Sequence, residues 1–220
     1  MKKRTLIMGD YDTAAGRWTL AALHVTKAPQ VQNFLSVPGR FAPIDVSTYL
    51  TDGEPYYENA QLSATLENSF GTHADREALI QDLVDRIDGH TLQIVHPDKP
   101  DRYMVGRIQV QPEFNNPAYC VVTISAVCEA WSYAKEETTV ELIGTGDMQT
   151  TQLVNNGRLS VTPAITVTGE MDLIFGQYSF SLGEGTYLLP EIYLKPGAHE
   201  ISYKGTGTAT LVYREAVLAV

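Results

Sequence analysis

Helical periodicity appears once in this chain, and the rest of the sequence has the short alternating runs of β-strands. Thr72, followed three residues later by Asp75, resembles a capping box, and Gly89 can supply the left-handed residue that ends a helix. Between them, apolar residues recur at three- and four-residue spacing, at Leu79, Ile80, Leu83, Val84 and Ile87. These signals predict one helix over residues 73–88. Its apolar stripe must pack against a sheet, which indicates a mainly β (α+β) fold.

The strands predicted around this helix follow from alternation of apolar and polar residues and from turn residues between the runs. Residues 61–68 are the clearest case, because Leu62, Ala64 and Leu66 alternate with polar neighbours. A polar loop at 96–101 predicts a hairpin. The N-terminal strands are predicted at 5–8, 18–25, 31–37, 61–68, 91–95, 103–110 and 119–127.

Beyond residue 138 the sequence is typical of a β-sandwich. Ten of the 17 glycines fall in the last 83 residues and separate short apolar runs at regular spacing. The predicted strands are 140–143, 159–161, 164–167, 173–175, 179–182, 186–189, 191–194, 199–203 and 209–213. The charged run Lys135-Glu136-Glu137 is either an ordinary loop or a domain edge. We take it as an edge, which predicts domains at 1–137 and 138–220.

Residues 37–59 contain two turn signals close together. Pro38-Gly39 has the fixed φ and the freedom for positive φ that a tight corner uses, and Arg40 follows it directly. A second turn is predicted at Thr51-Asp52-Gly53, before the aromatic pair Tyr56-Tyr57. Taken alone, this stretch is a surface loop between two strands.

Charge and hydropathy exclude some classes of protein. The net charge is −10, with 12 basic and 18 acidic groups in residues 1–137 and 4 and 8 in residues 138–220. The sequence has no cluster of Lys and Arg that would indicate binding to nucleic acid. A net negative charge is nevertheless compatible with DNA sliding past the protein without binding. No apolar run approaches the roughly 20 residues of a membrane helix. The basic start Met1-Lys2-Lys3-Arg4 precedes only three apolar residues, too few for a signal peptide, so we expect cytoplasmic synthesis.

Cys120 and Cys128 lie eight residues apart in one alternating run. In a continuous strand they would be separated by roughly 26 Å, far beyond the ~7 Å limit for a disulfide. They are predicted to be two buried thiols on the same face, without a redox or metal role.

The sequence predicts no catalytic, cofactor-binding or metal-binding residues. Asp10 and Asp12 could hold a divalent ion, but Asp in a turn more commonly bonds its own backbone. Two Gly-Thr-Gly segments, at 144–146 and 205–207, lack the following helix that a phosphate-binding loop requires. They are interpreted as turns. The five histidines, at 24, 73, 90, 96 and 199, show no ligand spacing.

Paired carboxylates and tyrosines in the second half leave alternatives open. Glu184 and Glu191 could flank a glycosidase cleft, but exposed turn positions are the simpler interpretation. Tyrosines could form a sugar-stacking platform or pack in the core and at interfaces. They are Tyr178, Tyr187, Tyr193, Tyr203 and Tyr213.

Taken together, the order and spacing of these motifs resemble the distal tail proteins (Dit) of long-tailed, non-contractile phages and prophages. The resemblance covers nearly the whole chain. It is carried by segments in both halves: 37–40, 44–46, 57–59, 88–90, 103–108, 128–133, 155–157, 163–165, 185–187 and 213–215. Family members usually have Asp or a second Gly after the Pro-Gly-Arg corner, whereas this chain has Phe41-Ala42-Pro43.

The resemblance implies an N-terminal β-sandwich with one helix and a hairpin arm, followed by a galectin-like C-terminal sandwich. It further implies a structural virion protein at the tail tip rather than an enzyme, in which a homo-hexameric ring joins tail tube to tip. Such a ring leaves a channel for DNA and carries host-adhesion proteins. The implied partners are the tail tube protein, the tape measure and receptor-binding proteins. In this setting residues 37–59 become a candidate inter-subunit arm, with Arg40 facing the channel, a neighbour or Asp45.

Two other function classes compete with this hypothesis. The C-terminal sandwich could be a carbohydrate-binding module, which predicts saturable glycan binding that is lost on Tyr187→Ala or Tyr193→Ala. An enzyme would instead lose activity on Glu184→Gln or Glu191→Gln.

Overall fold

The structure is a computed structural model, which describes residues 4–49, 51, 53–113 and 118–220. Met1-Lys2-Lys3 of the basic start and Asp52 of the second predicted turn lie outside the described residues. The chain divides into two compact units, Met1–Ser132 with Leu218–Val220 (unit 1) and Tyr133–Val217 (unit 2). The division into two independently folding domains, 1–137 and 138–220, stays a prediction.

The described residues form one helix and eighteen strands. The first half contains β1 (Ile7–Met8), β2 (Tyr11–Asp12), β3 (Thr19–Thr26), β4 (Phe34–Leu35), β5 (Ile44–Asp45), β6 (Ala60–Asn68), α1 (His73–Ile87), β7 (Thr91–Val95), β8 (Arg102–Glu113) and β9 (Cys120–Ala134). The second half contains β10 (Thr138–Ile143), β11 (Gln149–Asn155), β12 (Ala164–Thr168), β13 (Met171–Phe175), β14 (Tyr178–Leu182), β15 (Gly185–Leu188), β16 (Gly197–Gly205), β17 (Thr208–Tyr213) and β18 (Ala216–Leu218).

An eight-stranded sheet forms the framework of the first half. Its strand order is β2-β1-β7-β8-β9-β6-β3, and β18 pairs with β9 beside this path. The strand β6 buries every second residue, and its register places Leu62 opposite Ala126 and Leu66 opposite Val122 of β9. One face of this part of the sheet is therefore apolar and buried, and the other is exposed. Strands β4 and β5 form a separate two-stranded ribbon.

Helix α1 covers the buried side, as the sequence predicts. Thr72 and Asp75 form the expected capping box, in which the Thr72 side chain accepts from the Asp75 amide at 3.2 Å. Gly89 follows the helix with a φ of +73°, and Arg86 donates to Asp82 at 2.8 Å on the exposed side. The buried helix residues Ile80, Leu83 and Ile87 join the apolar residues of the sheet in one core. The predicted helix is confirmed.

Both cysteines are buried free thiols on β9, which confirms the prediction from their spacing. Burial raises the pKa of the Cys128 thiol to about 11, so this sulfur is a packing group at neutral pH.

Unit 2 is an all-β sandwich of two four-stranded sheets, ordered β10-β17-β12-β15 and β11-β16-β13-β14. Its core contains fully buried side chains from both sheets, among them Leu142, Leu153, Ile165, Leu173, Ile201 and Leu211. The two Gly-Thr-Gly segments are not merely turns, because they pair with each other. The Gly144 amide donates to the Gly207 carbonyl at 2.9 Å, and the Gly146 amide donates to Gly205 at 2.7 Å.

The mainly β fold with one packed helix and sandwich-like sheets is confirmed, but several predicted strand boundaries are wrong. Strand β9 continues through Trp131 to Ala134 instead of ending at Val127. Residues 159–161 and 191–194 are not strands and share only an isolated bridge between Val161 and Leu194. Of residues 31–37, only Phe34–Leu35 is a strand. The strands β2, β5, β11 and β18 were missed, because β11 is mostly polar and the other three are only two or three residues long. Within the described residues, no helix is long and apolar enough to cross a membrane.

Candidate assembly surface

The stretch predicted as an arm, residues 37–59, lies almost entirely within a longer hairpin excursion from unit 1. We call this excursion the arm and define it as residues 29–58. Its base is closed by two backbone hydrogen bonds, from the Glu58 amide to the Pro29 carbonyl at 3.0 Å and from the Val31 amide to Tyr56 at 2.9 Å. Beside the base, Ala28 is buried in the core of unit 1. The Tyr57 ring meets the Trp131 ring edge to face, with the centroids 5.7 Å apart. The base is therefore fixed to the sheet.

The middle of the arm is held by polar contacts rather than by a core. Strands β4 and β5 pair Phe34 with Asp45 and Leu35 with Ile44. The Asn33 amide donates to the Ser47 hydroxyl at 2.7 Å. Hydrogen bonds from the hydroxyl and the amide of Ser47 lower the pKa of the Asp45 carboxyl. These contacts fix the ribbon without covering its apolar side chains.

The tip of the arm is the tight turn that the sequence predicts. The Arg40 amide donates to the Val37 carbonyl at 3.1 Å, and Gly39 has a φ of +84°. This is the positive φ that glycine adopts at low cost. Arg40 is exposed and makes no ion pair with Asp45 or with any other described residue.

Large apolar side chains along the arm are exposed. Six of the 16 exposed large hydrophobic residues of the described chain lie in it, and Phe41 at the tip is 110% exposed. The six are Phe34, Leu35, Val37, Phe41, Tyr49 and Tyr56. Exposed apolar side chains contribute no burial free energy to the stability of a monomer. Surfaces where several such side chains lie together are typical of interaction sites. Reasoning from the sequence missed Phe41, although an aromatic residue beside a Pro-Gly corner was a usable signal.

On the exposed face of the eight-stranded sheet, strands β3, β6 and β9 carry two neighbouring rows of uncharged side chains. The pairing register places Thr26, Gln61 and Val127 in one row and His24, Ser63 and Ser125 in the next. A shallow depression of about 310 Å³ lies here, and Arg107 and Gln109 of β8 complete its lining. Polar, uncharged side chains predominate on this face.

A second exposed aromatic group lies at the other end of the same sheet. Phe70 follows β6, Tyr119 precedes β9, and their relative exposures are 69% and 44%. Asn68 pairs with Cys120 at this end, so Phe70 and Tyr119 both lie just beyond the same end of the paired strands β6 and β9. The Arg17 guanidinium lies 5.7 Å from the centroid of the Phe70 ring. The Glu67 carboxylate is exposed nearby in sequence and, like Arg40, makes no ion pair among the described residues.

The candidate metal ligands have structural contacts. Asp12 accepts a hydrogen bond from the Thr5 hydroxyl and another from the Ala14 amide at 2.8 Å. The Thr5 hydrogen bond lowers the pKa of Asp12, which is the behaviour of a turn carboxylate. His199 Nε2 contacts the Lys195 carbonyl at 2.7 Å. Among the described residues, no group of three or more His, Cys, Asp or Glu could hold a metal ion.

The groups proposed for sugar chemistry do not share one environment. Glu184 and Glu191 are both exposed. The Tyr213 ring is buried and its hydroxyl donates to the Val154 carbonyl at 2.7 Å, so this residue belongs to the core. Tyr187 also packs against the core, and its hydroxyl donates to Gly183 at 3.1 Å. That the chain has no catalytic, cofactor or metal residues stays a prediction.

Comparison with known proteins finds matches among solved structures and none among family models or curated proteins. No protein-family model matches the sequence, and no curated protein matches it. The structure is similar to the crystal structure of SPP1 Dit (gp 19.1), a hub protein of the adsorption apparatus of phages that infect Gram-positive bacteria. The similarity has a TM-score of 0.70 and covers 96% of this chain and 98% of that chain, at 15% sequence identity. The chain therefore has the fold of SPP1 Dit, and the fold expected from the resemblance to distal tail proteins is confirmed.

Proposed function

We propose that this chain is a structural hub protein of a long, non-contractile phage or prophage tail. The observation that carries the proposal is the similarity to SPP1 Dit, which extends over nearly the full length of both chains. A shared sandwich alone would be weak support, because one fold serves many functions. Here the similarity includes both units, and the order of motifs in the sequence leads to the same family independently.

In the proposed function, six copies close into a ring that joins the tail tube to the tail tip. A cyclic ring needs a heterologous contact, in which one surface of a subunit meets a different surface of the next. The arm is suited to this role because its base is fixed to unit 1 while its apolar side chains are exposed. Assembly removes these side chains from water and so provides a driving force.

The ring leaves a channel through which DNA passes. The two uncharged rows of β3, β6 and β9 described above are the best candidate for its lining, because their Ser and Gln side chains offer no cluster of cations to hold phosphate groups. The net charge of −10 acts in the same direction, since it disfavours retention of a polyanion. Arg107 of the neighbouring strand β8 adds a positive group beside these rows.

The partners in this proposal are the tail tube protein, the tape measure and the receptor-binding proteins of the tail tip. The chain is synthesised in the host cytoplasm, becomes part of the virion tail tip and anchors adhesion proteins without chemistry of its own.

Electron microscopy tests this proposal directly. We expect negatively stained purified protein to show closed six-fold rings, and antibody against this chain to label the distal end of tails. Purified protein and tails that both lack rings, with no label at the tip, would contradict the hub function.

A carbohydrate-binding function of unit 2 is the second candidate, and two exposed tyrosines favour it. Tyr178 and Tyr193 are 43% and 40% exposed, and Tyr178 stacks on Phe180 with ring centroids 6.4 Å apart. Exposed aromatic rings are the usual partners of sugar faces. A glycan panel with the full chain, compared with Tyr193→Ala and Tyr187→Ala, separates the two functions. Saturable binding that either substitution abolishes supports the second candidate, and absence of binding rejects it.

A further inference from the structure

We propose that a depression on the exposed face of the β11-β16-β13-β14 sheet binds a small zwitterionic ligand, which carries a primary ammonium group and an anionic group on one short molecule. The depression has a volume of about 480 Å³, and Glu170, Asp172 and Lys204 supply its charged groups. The inference goes beyond the proposed function, because the site lies within unit 2 of a single chain and does not depend on ring formation.

The strand register brings these charged residues together. Asp172 of β13 lies opposite Lys204 of β16 and opposite Ser181 of β14, so the three residues form one row across the sheet. Glu170 precedes β13 and lines the same depression. Met171, between the two acidic residues, is buried in the core of the sandwich. Because side chains alternate along a strand, the two carboxylates lie on the opposite face, towards solvent.

The charged groups of the depression have few partners within the chain. Neither the Glu170 carboxylate nor the Lys204 ammonium makes an ion pair or a hydrogen bond with a side chain among the described residues. The Asp172 carboxylate accepts one hydrogen bond, from the Ser181 hydroxyl at 2.6 Å. A carboxylate has acceptor sites for several hydrogen bonds, so most of this capacity is available to a ligand.

Two glycines leave space beside these groups. Gly146 and Gly183 line the depression, and a Cβ atom at either position would meet no atom within 4 Å. Gly146 has a φ of +89°, which favours glycine for conformational reasons. Gly183 is not among the glycines with positive φ, so neither its backbone nor its packing requires glycine. A site that must stay open to a ligand provides a reason for the small residue.

The arrangement of charges selects the class of ligand. Two carboxylates and one ammonium give the depression a net negative charge, which favours a cation. A primary ammonium has three donors and can therefore bond to both carboxylates. Lys204 repels a ligand that is only cationic and offers a partner to an anionic group. The described residues that line the depression include no aromatic ring, which distinguishes it from a sugar-stacking surface.

An NMR titration of the full chain with three linear probes tests the class of ligand. The probes are ε-aminocaproate, which carries both charges, hexamethylenediamine, which carries two ammonium groups, and caproate, which carries only the anion. We expect ε-aminocaproate to bind most tightly, with a dissociation constant in the millimolar range, and to shift the amide signals of Asp172 and Lys204. Shifts that do not saturate in this range, shifts centred on another surface, or equally tight binding of caproate overturn the inference.

Charge-neutralising variants test the residues. Glu170→Gln should weaken binding of ε-aminocaproate about three- to fivefold, the range of an exposed ion pair. Lys204→Gln should weaken binding of ε-aminocaproate by a similar factor and strengthen binding of hexamethylenediamine, because it removes a repulsion. Glu141→Gln is the matched control, since it neutralises an exposed carboxylate on the other sheet and should change neither affinity. Affinities that stay unchanged in Glu170→Gln, or that respond alike to Lys204→Gln, overturn the inference.

Blocking the space tests the depression itself. Gly183→Leu places a side chain over the site and should weaken binding of ε-aminocaproate about tenfold or more, with the thermal unfolding midpoint unchanged. A stable Gly183→Leu variant that binds like the wild type overturns the inference. Rings that form from a chain without saturable binding overturn the inference alone, whereas binding by a chain that forms no rings contradicts only the hub function.

Discussion

The arm and the C-terminal sandwich treat apolar side chains in opposite ways. In the sandwich, side chains such as Leu142, Ile165 and Leu211 are fully buried between two sheets. In the arm, Phe34, Leu35 and Phe41 are exposed and the backbone is held by hydrogen bonds. The sandwich is therefore stabilised by its own core, whereas the apolar surface of the arm can contribute free energy only when another molecule covers it. Apolar residues thus form a core in the sandwich, whereas in the arm they stay exposed, as the proposed assembly role requires.

The largest expected effect distinguishes these two uses of an apolar side chain. Leu211→Ala leaves a cavity in the sandwich core and should lower the free energy of unfolding by about 2–5 kcal/mol. Phe41→Ala removes a larger side chain from an exposed site and should change it by less than about 0.5 kcal/mol. Urea unfolding of the monomer, followed by circular dichroism, measures both. Equal losses would show that Phe41 is packed within its own chain.

A smaller effect is expected where the sandwich brings two backbones together. A Cβ atom at position 207 would overlap the Thr168 carbonyl, so Gly207→Ala should cost about 1–3 kcal/mol. Gly183→Ala is the matched control in the same unit, because a Cβ there meets open space and the change should be neutral or slightly stabilising. Thermal unfolding of the two variants gives the difference. A Gly207→Ala variant as stable as Gly183→Ala would contradict the close approach of Gly207 to the Thr168 carbonyl.

The smallest effect should remain local to the arm. Gly39 has a φ of +84° with no neighbour near its Cβ position, so Gly39→Ala strains the turn by about 1 kcal/mol without a clash. Because the arm adds little to the core, global unfolding should stay unchanged while amide exchange in the arm becomes faster. Native-state hydrogen exchange at Arg40 and Val46, with the core strand β6 as reference, tests this. Loss of protection in β6 would show that arm and core unfold together.

Local sequence signals predicted the elements whose stability is local. The helix is specified by its capping box and by apolar residues three and four apart, and both appear in the structure. The buried thiols at Cys120 and Cys128 follow from equal parity in one strand. The turn at Pro38-Gly39 follows from the conformational preferences of its two residues. In each case the determining interactions span only a few residues.

Elements that depend on distant partners were predicted poorly. Residues 149–155 read QTTQLVN, with few apolar positions, and they form β11 because β16 supplies a full ladder from Tyr203 to Gly197. Residues 191–194 look like a strand by alternation but are limited to a bridge at Leu194. The grouping of Phe70 and Tyr119 at one edge depends on the register of β6 against β9. Pairing over long sequence separations cannot be read from alternation alone.

The class of this protein follows from its residues alone, which specify one capped helix, alternating strands, an acidic chain and a second half divided by glycines. These properties come from local propensity and composition, which act before the chain has any tertiary contacts. Tertiary contacts, in contrast, determine which apolar residues form the core and which are exposed. Phe41 and Leu211 are both apolar residues in the sequence, and burial depends on the strands that surround each one. That difference separates the arm from the sandwich and makes the arm the candidate for assembly.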